Sequence, residues 1–361
     1  MVEKRSNFID ILKAIGIISI VMGHTAGWNI PFFNVEAGLF VYTYHIMIFM
    51  FVSGFTFKKE NTLNPEVFVG KRILSTFVLF NVYTTIFVLL HNTLFQANLL
   101  YGSKLYGKKE ILNRILNGIT FNYSETMLGA FWFLPMFLVT LVLFAYFIGI
   151  STKTKYPNTL NILSVLLFAV VGLAVTVGKI ELAYHIQTSI LAIPIVFLGY
   201  YTKTYWEKID KYITSWGWII AALIILFVLS LDIGQIELAK NQIINIYLFY
   251  PVTIIGMYFC LSLGKLIDKT KLTNLFSFIG KNSFHIMGLH FVSFKLVDFV
   301  TSKIMNVTYV EIIGKFTNSG YDIKLVYVLA GIIIPLILIS CYRLVQKSVT
   351  TLLNKYLFIE K

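Results

Sequence analysis

Apolar runs of eighteen or more residues recur along nearly all of this 361-residue chain, and they leave few folds open. A run of that length crosses the hydrocarbon core of a bilayer as an α-helix, where every backbone polar group must be satisfied inside the segment. The expected fold class is an all-α polytopic membrane protein, with about ten transmembrane helices in one bundle and a single domain over 1–361. Hydrophobic residues make up 57% of the sequence and charged ones 13%, a balance that excludes a soluble multidomain enzyme. The net charge of +13 does not point to nucleic acid. Its basic residues sit between apolar runs, where positive-inside sorting and anionic lipid headgroups account for them. Cys260 and Cys341 both fall inside apolar runs, with no partner spacing for zinc or a disulfide framework.

The expected spans are 9–27, 39–57, 73–95, 130–150, 160–178, 183–201, 215–232, 243–264, 283–300 and 325–345. No small-x-small cleavage site follows the first, so it reads as an uncleaved span and not as a signal peptide. An even number of spans puts both termini on one side. Loops on that side carry seventeen Lys and Arg residues against nine on the other, which predicts that both termini are cytoplasmic. In the outer connection 96–129, Ile111, Leu112, Ile115, Leu116 and Ile119 repeat at helical spacing, so an amphipathic segment is expected at the interface. Residues 301–324 carry a weaker pattern of the same kind.

The first span carries the sharpest functional signal. F-I-D-I-L-K-A-I-G-I-I-S-I-V-M-G-H holds Asp10, Lys13 and His24 in an otherwise apolar stretch, and ionisable groups inside a membrane are costly and tend to be functional. Lys13 and His24 are eleven residues apart, which is three turns plus about 20°, so they share a helix face about 16 Å apart along the axis. Asp10 and Lys13 are spaced to pair. The stripe runs from an ion pair near one surface to a titratable imidazole nearer the other. The bland alternative is that the ion pair marks the watery end of the helix and His24 bonds at the far interface.

Other polar residues are weaker signals. His45 in span 2 lies at a depth similar to His24, so the two imidazoles could form an acid–base pair; a bond from His45 to a neighbouring carbonyl or hydroxyl explains it equally well. Ser53-Gly54 reads as a close-packing pair. Lys71-Arg72 anchors span 3 or offers phosphates a planar fork. Trp132 and Pro135 in A-F-W-F-L-P fit an aromatic belt and a helix start. His290 lies deep in span 9 and suits a polar cavity, whereas His285, His91 and His185 read as interfacial. There is no H-E-x-x-H spacing, no G-x-S-x-G elbow and no phosphate-binding glycine loop. No metal site is expected. Histidine without those motifs suggests general-base work on a hydroxyl, or transient acyl carriage.

At these residues the chain resembles the acyltransferase 3 family of integral membrane acyltransferases, in the branch similar to fucose 4-O-acetylases and surface-polysaccharide O-acetyltransferases. The opening stretch resembles the family's basic residue, ten residues, then histidine, with Lys13 where arginine is common. H-I-M-I-F-M-F-V-S-G-F-T-F, V-G-K-R-I-L, F-W-F-L and G-K-N-S-F-H-I-M-G-L-H-F resemble its later motifs, in the family's order. The resemblance implies transfer of an acyl group, usually acetyl, from cytoplasmic acyl-CoA to a hydroxyl of an extracytoplasmic or lipid-linked glycan. The setting would be the plasma membrane, with no tightly bound cofactor. It implies His24 as the catalytic histidine, with Lys13 and Arg72 holding the donor or shaping the cavity; the residues themselves add His45 as a second catalytic candidate and Asp10, Trp132 and His290 as substrate- or donor-binding candidates. A secondary transporter relaying protons through buried His, Lys and Asp is the rival; it predicts inverted repeats with interrupted helices in corresponding halves, and no such pairing is visible. The sequence specifies no oligomeric state.

Overall fold

The computed structural model describes residues 6–25, 29–30, 35–97, 99–100, 103–122, 125–213, 215–306 and 323–357. Most of the second outer connection, and with it the weaker amphipathic pattern at 301–324, lies outside the described residues. Helices dominate, joined by two short antiparallel ribbons, Asn29–Ile30 with Val35–Glu36 and Ile236–Glu237 with Gln242–Ile243. The chain is an all-α polytopic membrane protein.

Eight helical segments among the described residues are long and apolar enough to cross a membrane. They contain α4 (Pro65–Gln96), α6 (Phe133–Ser151, preceded by a tight 3-10 turn Thr126–Trp132), α7 (Pro157–Val177), α8 (Ile186–Thr204), α10 (Trp216–Ile233), α11 (Phe249–Asp268), α13 (Ser283–Ile304) and α14 (Lys324–Leu357). The first two expected spans are shorter. Helix α1 is Asn7–Gly23, and span 2 is split into α2 (Ala37–Val41) and α3 (Met47–Phe55) by turns at 42–46. Short helices α5 (Lys108–Ile119), α9 (Trp206–Ile213) and α12 (Thr273–Lys281) lie between spans.

Two boundaries differ from expectation for clear reasons. Helix α4 starts at Pro65, eight residues before the predicted 73, because Asn64-Pro65 makes a proper start with proline in the first turn, where its missing N–H costs nothing. Lys71 and Arg72 are therefore on the helix and not in a loop. Helix α14 runs twelve residues past 345, since nothing in C-Y-R-L-V-Q-K-S breaks a helix.

Close crossings hold the bundle together, as expected where lipid removes the hydrophobic drive between helices. Gly54 on α3 and Gly199 on α8 meet at one crossing, where a β-carbon on either would overlap the other helix's backbone carbonyl, at Val196 and Phe51 respectively. Ser53-Gly54 is thus a packing pair. Helix α12 runs beside the start of α1: Ser277 Oγ donates to Asn7 Oδ1 at 3.3 Å, and Gly280 lies against the Asp10 backbone. The chain breaks at Asn282 and continues as α13, which climbs alongside α1. The end of the bundle holding Asn7, Pro65 and Ser151 is called the terminal end below, and the other the far end.

At the far end α5 is amphipathic, as its sequence predicts, and packs on α4 with Gly118 against Thr84. A polar latch fixes this segment. His91 faces Glu125 Oε2 at 3.1 Å with one ring nitrogen and the Lys104 carbonyl at 3.0 Å with the other. Asn92 donates to the Tyr106 carbonyl at 2.9 Å and accepts from its N–H at 2.7 Å. Tyr106 is sandwiched between the His91 ring, 3.3 Å away, and the Arg114 guanidinium, 4.0 Å away. Arg114 in turn donates to Glu110 and holds its carboxyl below the usual carboxylate range.

Candidate functional site: a histidine pair inside the bundle

Helix α1 ends at Gly23 because a second element closes on it. Tyr42, in the turns that split span 2, donates its phenol to the Gly23 carbonyl at 2.7 Å, and its ring occupies the space a β-carbon at 23 would need. In these turns Thr43 Oγ1 donates to the Phe40 carbonyl at 2.6 Å, and His45 Nδ1 contacts the Val41 carbonyl at 3.1 Å. Irregular backbone at membrane depth is tolerated where protein or a cavity surrounds it.

His24 follows directly as the cap of α1. Its Nδ1 lies 2.9 Å from Nε2 of His290 on α13. The two rings are within 10° of parallel with centroids 5.0 Å apart. Parallel rings stacked at van der Waals thickness could not bring two nitrogens so close, so the imidazoles meet edge to edge and nearly in plane. His290 is fully buried and His24 half-buried. Phe291 packs on both, 4.9 Å from His24 and 4.1 Å from His290, and Phe294 covers His290 at 5.5 Å. The result is a polar pair in an apolar wall, with His24 as its accessible member.

His45 is buried and joins the pair indirectly. Its ring lies 4.7 Å from that of Tyr42, which in turn caps Gly23. The partner that His24 takes on α13 is thus not the one the sequence suggested on span 2, and His45 is held by its own helix carbonyl.

Toward the terminal end, Asp10 is fully buried and faces Lys13 Nζ at 3.8 Å, as the three-residue spacing predicts; Lys13 is 29% exposed. Between this pair and the histidines, His285 Nδ1 meets the Tyr83 phenol at 2.8 Å. Arg343 on α14 donates to Asn282 Oδ1 at 2.8 Å, at the break between α12 and α13. Arg72 is exposed two turns into α4, its guanidinium 5.4 Å from the Phe68 ring centroid. Trp132 precedes α6. Its ring lies 5.1 Å from His185 and lines a far-end cavity of about 200 Å³ with Phe80, Phe121, Asn122 and Tyr184.

Several polar groups escaped the sequence reading. Arg343, Lys295 and Asp298 are all charged residues inside expected spans, and that alone was the available signal. Lys295 donates to Asp298 Oδ2 at 3.1 Å, and Tyr327 donates to Oδ1 at 2.6 Å, all three buried between α13 and α14. Tyr83 carries no such signal, because a tyrosine in an apolar span is ordinary.

The bundle thus holds one imidazole at the end of α1 hydrogen-bonded to a second that is fully buried within α13. The comparison with families is specific: the model described as an acyltransferase domain, acyltransferase 3, matches residues 6–342. This chain belongs to that family and is a membrane acyltransferase. No curated relative and no solved structure matches it.

Proposed function

We propose that this protein is an O-acyltransferase that moves an acyl group, most simply acetyl, from acyl-CoA to a hydroxyl of an extracytoplasmic or lipid-linked glycan at the plasma membrane. The observation that carries the reading is the position of His24, a half-buried imidazole hydrogen-bonded to a fully buried one. The motif resemblance to the fucose 4-O-acetylase-like branch supports the glycan acceptor. The excess of basic residues at the terminal end supports a cytoplasmic donor.

In this mechanism the acyl-CoA thioester enters from the terminal end, where Lys13 and Arg343 supply cations for its phosphates. The acceptor approaches from the far end. His24 takes the hydroxyl proton as the oxygen attacks the thioester carbonyl; a C–O bond forms and the C–S bond breaks. The proton then passes from His24 to the leaving thiolate, so the base is regenerated. A positioned base contributes on the order of a hundred- to ten-thousand-fold. His45, beside the site, orients the acceptor.

Donor use is tested by thermal unfolding of the purified protein in lipid nanodiscs. Binding to the native state raises apparent stability by mass action. Acetyl-CoA should raise the midpoint in a concentration-dependent way, and ATP should not. Equal shifts from both, or none from acetyl-CoA, would remove acyl-CoA as donor.

A further inference from the structure

Both nitrogens of His290 are committed. Nδ1 lies 3.1 Å from the Ile286 carbonyl and 2.9 Å from the Met287 carbonyl, the oxygens four and three residues earlier on its own helix. Carbonyl oxygens only accept, so the hydrogen of a neutral His290 sits on Nδ1. Its Nε2 then holds a lone pair, directed at His24 Nδ1 at 2.9 Å. Two lone pairs do not face each other at that distance, so His24 Nδ1 carries the hydrogen and donates. A second proton on His290 would place a charge at a site with no solvent exposure, a costly arrangement.

We propose that His290 is a positioning residue that fixes His24 in the Nδ1–H tautomer and thereby makes Nε2 the atom that takes the proton. The consequence for the reaction rests on the general-base reading of His24; the tautomer itself does not. When His24 gains a proton at Nε2, its Nδ1–H bond to His290 becomes charge-assisted, and such bonds are roughly twice as strong as neutral ones. The pair then stabilises the imidazolium with a neutral acceptor, in the role that the carboxylate fills in a Ser-His-Asp triad. A neutral acceptor suits this depth. It imposes no permanent buried charge, and two backbone carbonyls one helical turn away hold the ring in place.

The full chain in lipid nanodiscs, labelled with 15N-histidine, tests this by two-bond 1H–15N correlation, with the His24 signals assigned by their loss in His24→Gln. The wild type should show His24 with a pyrrole-type Nδ1 and a pyridine-type Nε2. His290→Leu removes the acceptor and should mix the tautomers, with kcat lowered about a hundredfold and the KM for acetyl-CoA little changed. The drop corresponds to a misoriented base, milder than the roughly ten-thousandfold loss when a triad base is locked in the wrong tautomer. His290→Gln offers a carbonyl oxygen in place of Nε2 and should keep the tautomer and most of the rate. A pyridine-type Nδ1 on wild-type His24 would overturn the proposal whatever the His290 variants show. So would an unchanged tautomer in His290→Leu. If the tautomer is as stated but transfer survives loss of His24, the assignment stands and the general-base reading fails.

Discussion

Gly280 on α12 packs so closely on Asp10 that the β-carbon it lacks would overlap the Asp10 backbone carbonyl. The contact sets the depth of α1 against the α12–α13 segment, and that segment carries His290. Register between the two helices is therefore fixed about three turns before the histidines meet along α12–α13, and about four along α1. Gly280→Ala should lower stability by about 2 kcal/mol or more, in the upper range of overpacking costs because backbone has to move. It should also lower activity beyond what the stability loss explains. Thermal midpoints and transfer rates on purified protein, set beside Gly217→Ala, where a β-carbon meets open space, check this.

The far-end latch makes a separate prediction. His91→Ala removes the ring between the Glu125 carboxylate and the Lys104 carbonyl, and the stacking partner of Tyr106. A loss of about 1–3 kcal/mol is expected from the polar contacts. A cysteine at Ser103 should then react faster with a soluble maleimide than it does with His91 in place. His91→Ala without faster labelling would show that the latch does not hold the segment.

Orientation is tested with the same probe. In intact cells a cysteine at Ser103 should react with a membrane-impermeant maleimide, and a reporter fused after Lys361 should read cytoplasmic. Labelling of Ser103→Cys only after permeabilisation would invert the bundle and place the donor at the far end.

Much of this fold is legible in the sequence, because membrane spans are set by length and hydropathy and those are visible residue by residue. The failures have physical causes. Span 2 reads as one apolar run, but the chain turns at 42–46, where the Tyr42 phenol reaches the Gly23 carbonyl at the end of α1. Lys71 and Arg72 pushed the start of span 3 to 73, although Asn64-Pro65 marks the true beginning. The Asp10–Lys13 pair was predictable from local spacing. The His24–His290 pair was not, since the two residues are 266 positions apart and only the docking of α12 on α1 brings them together. His45 matched His24 in depth, and depth alone does not choose a hydrogen-bond partner.

At the terminal end, Lys13→Ala and Arg343→Ala should each weaken acetyl-CoA binding about tenfold, the loss of one charge-assisted contact to phosphate. Arg72→Ala should do less, because its side chain is exposed on α4 and rests against the Phe68 ring. Lys13→Arg should bind as the wild type does. Binding isotherms in nanodiscs decide it. Unchanged affinity in both Lys13→Ala and Arg343→Ala would move the donor site elsewhere.

The central claim is that His24 carries the proton in acyl transfer. Glutamine at this position keeps a hydrogen-bonding amide of similar reach but cannot accept a proton. The decisive measurement is acetyl transfer from acetyl-CoA to surface glycan by His24→Gln, with protein level and donor affinity measured in the same preparation. Transfer should fall by at least about a hundredfold while acetyl-CoA binds as in the wild type. Near-wild-type transfer by His24→Gln would contradict the account, and would count equally against an acyl-histidine intermediate.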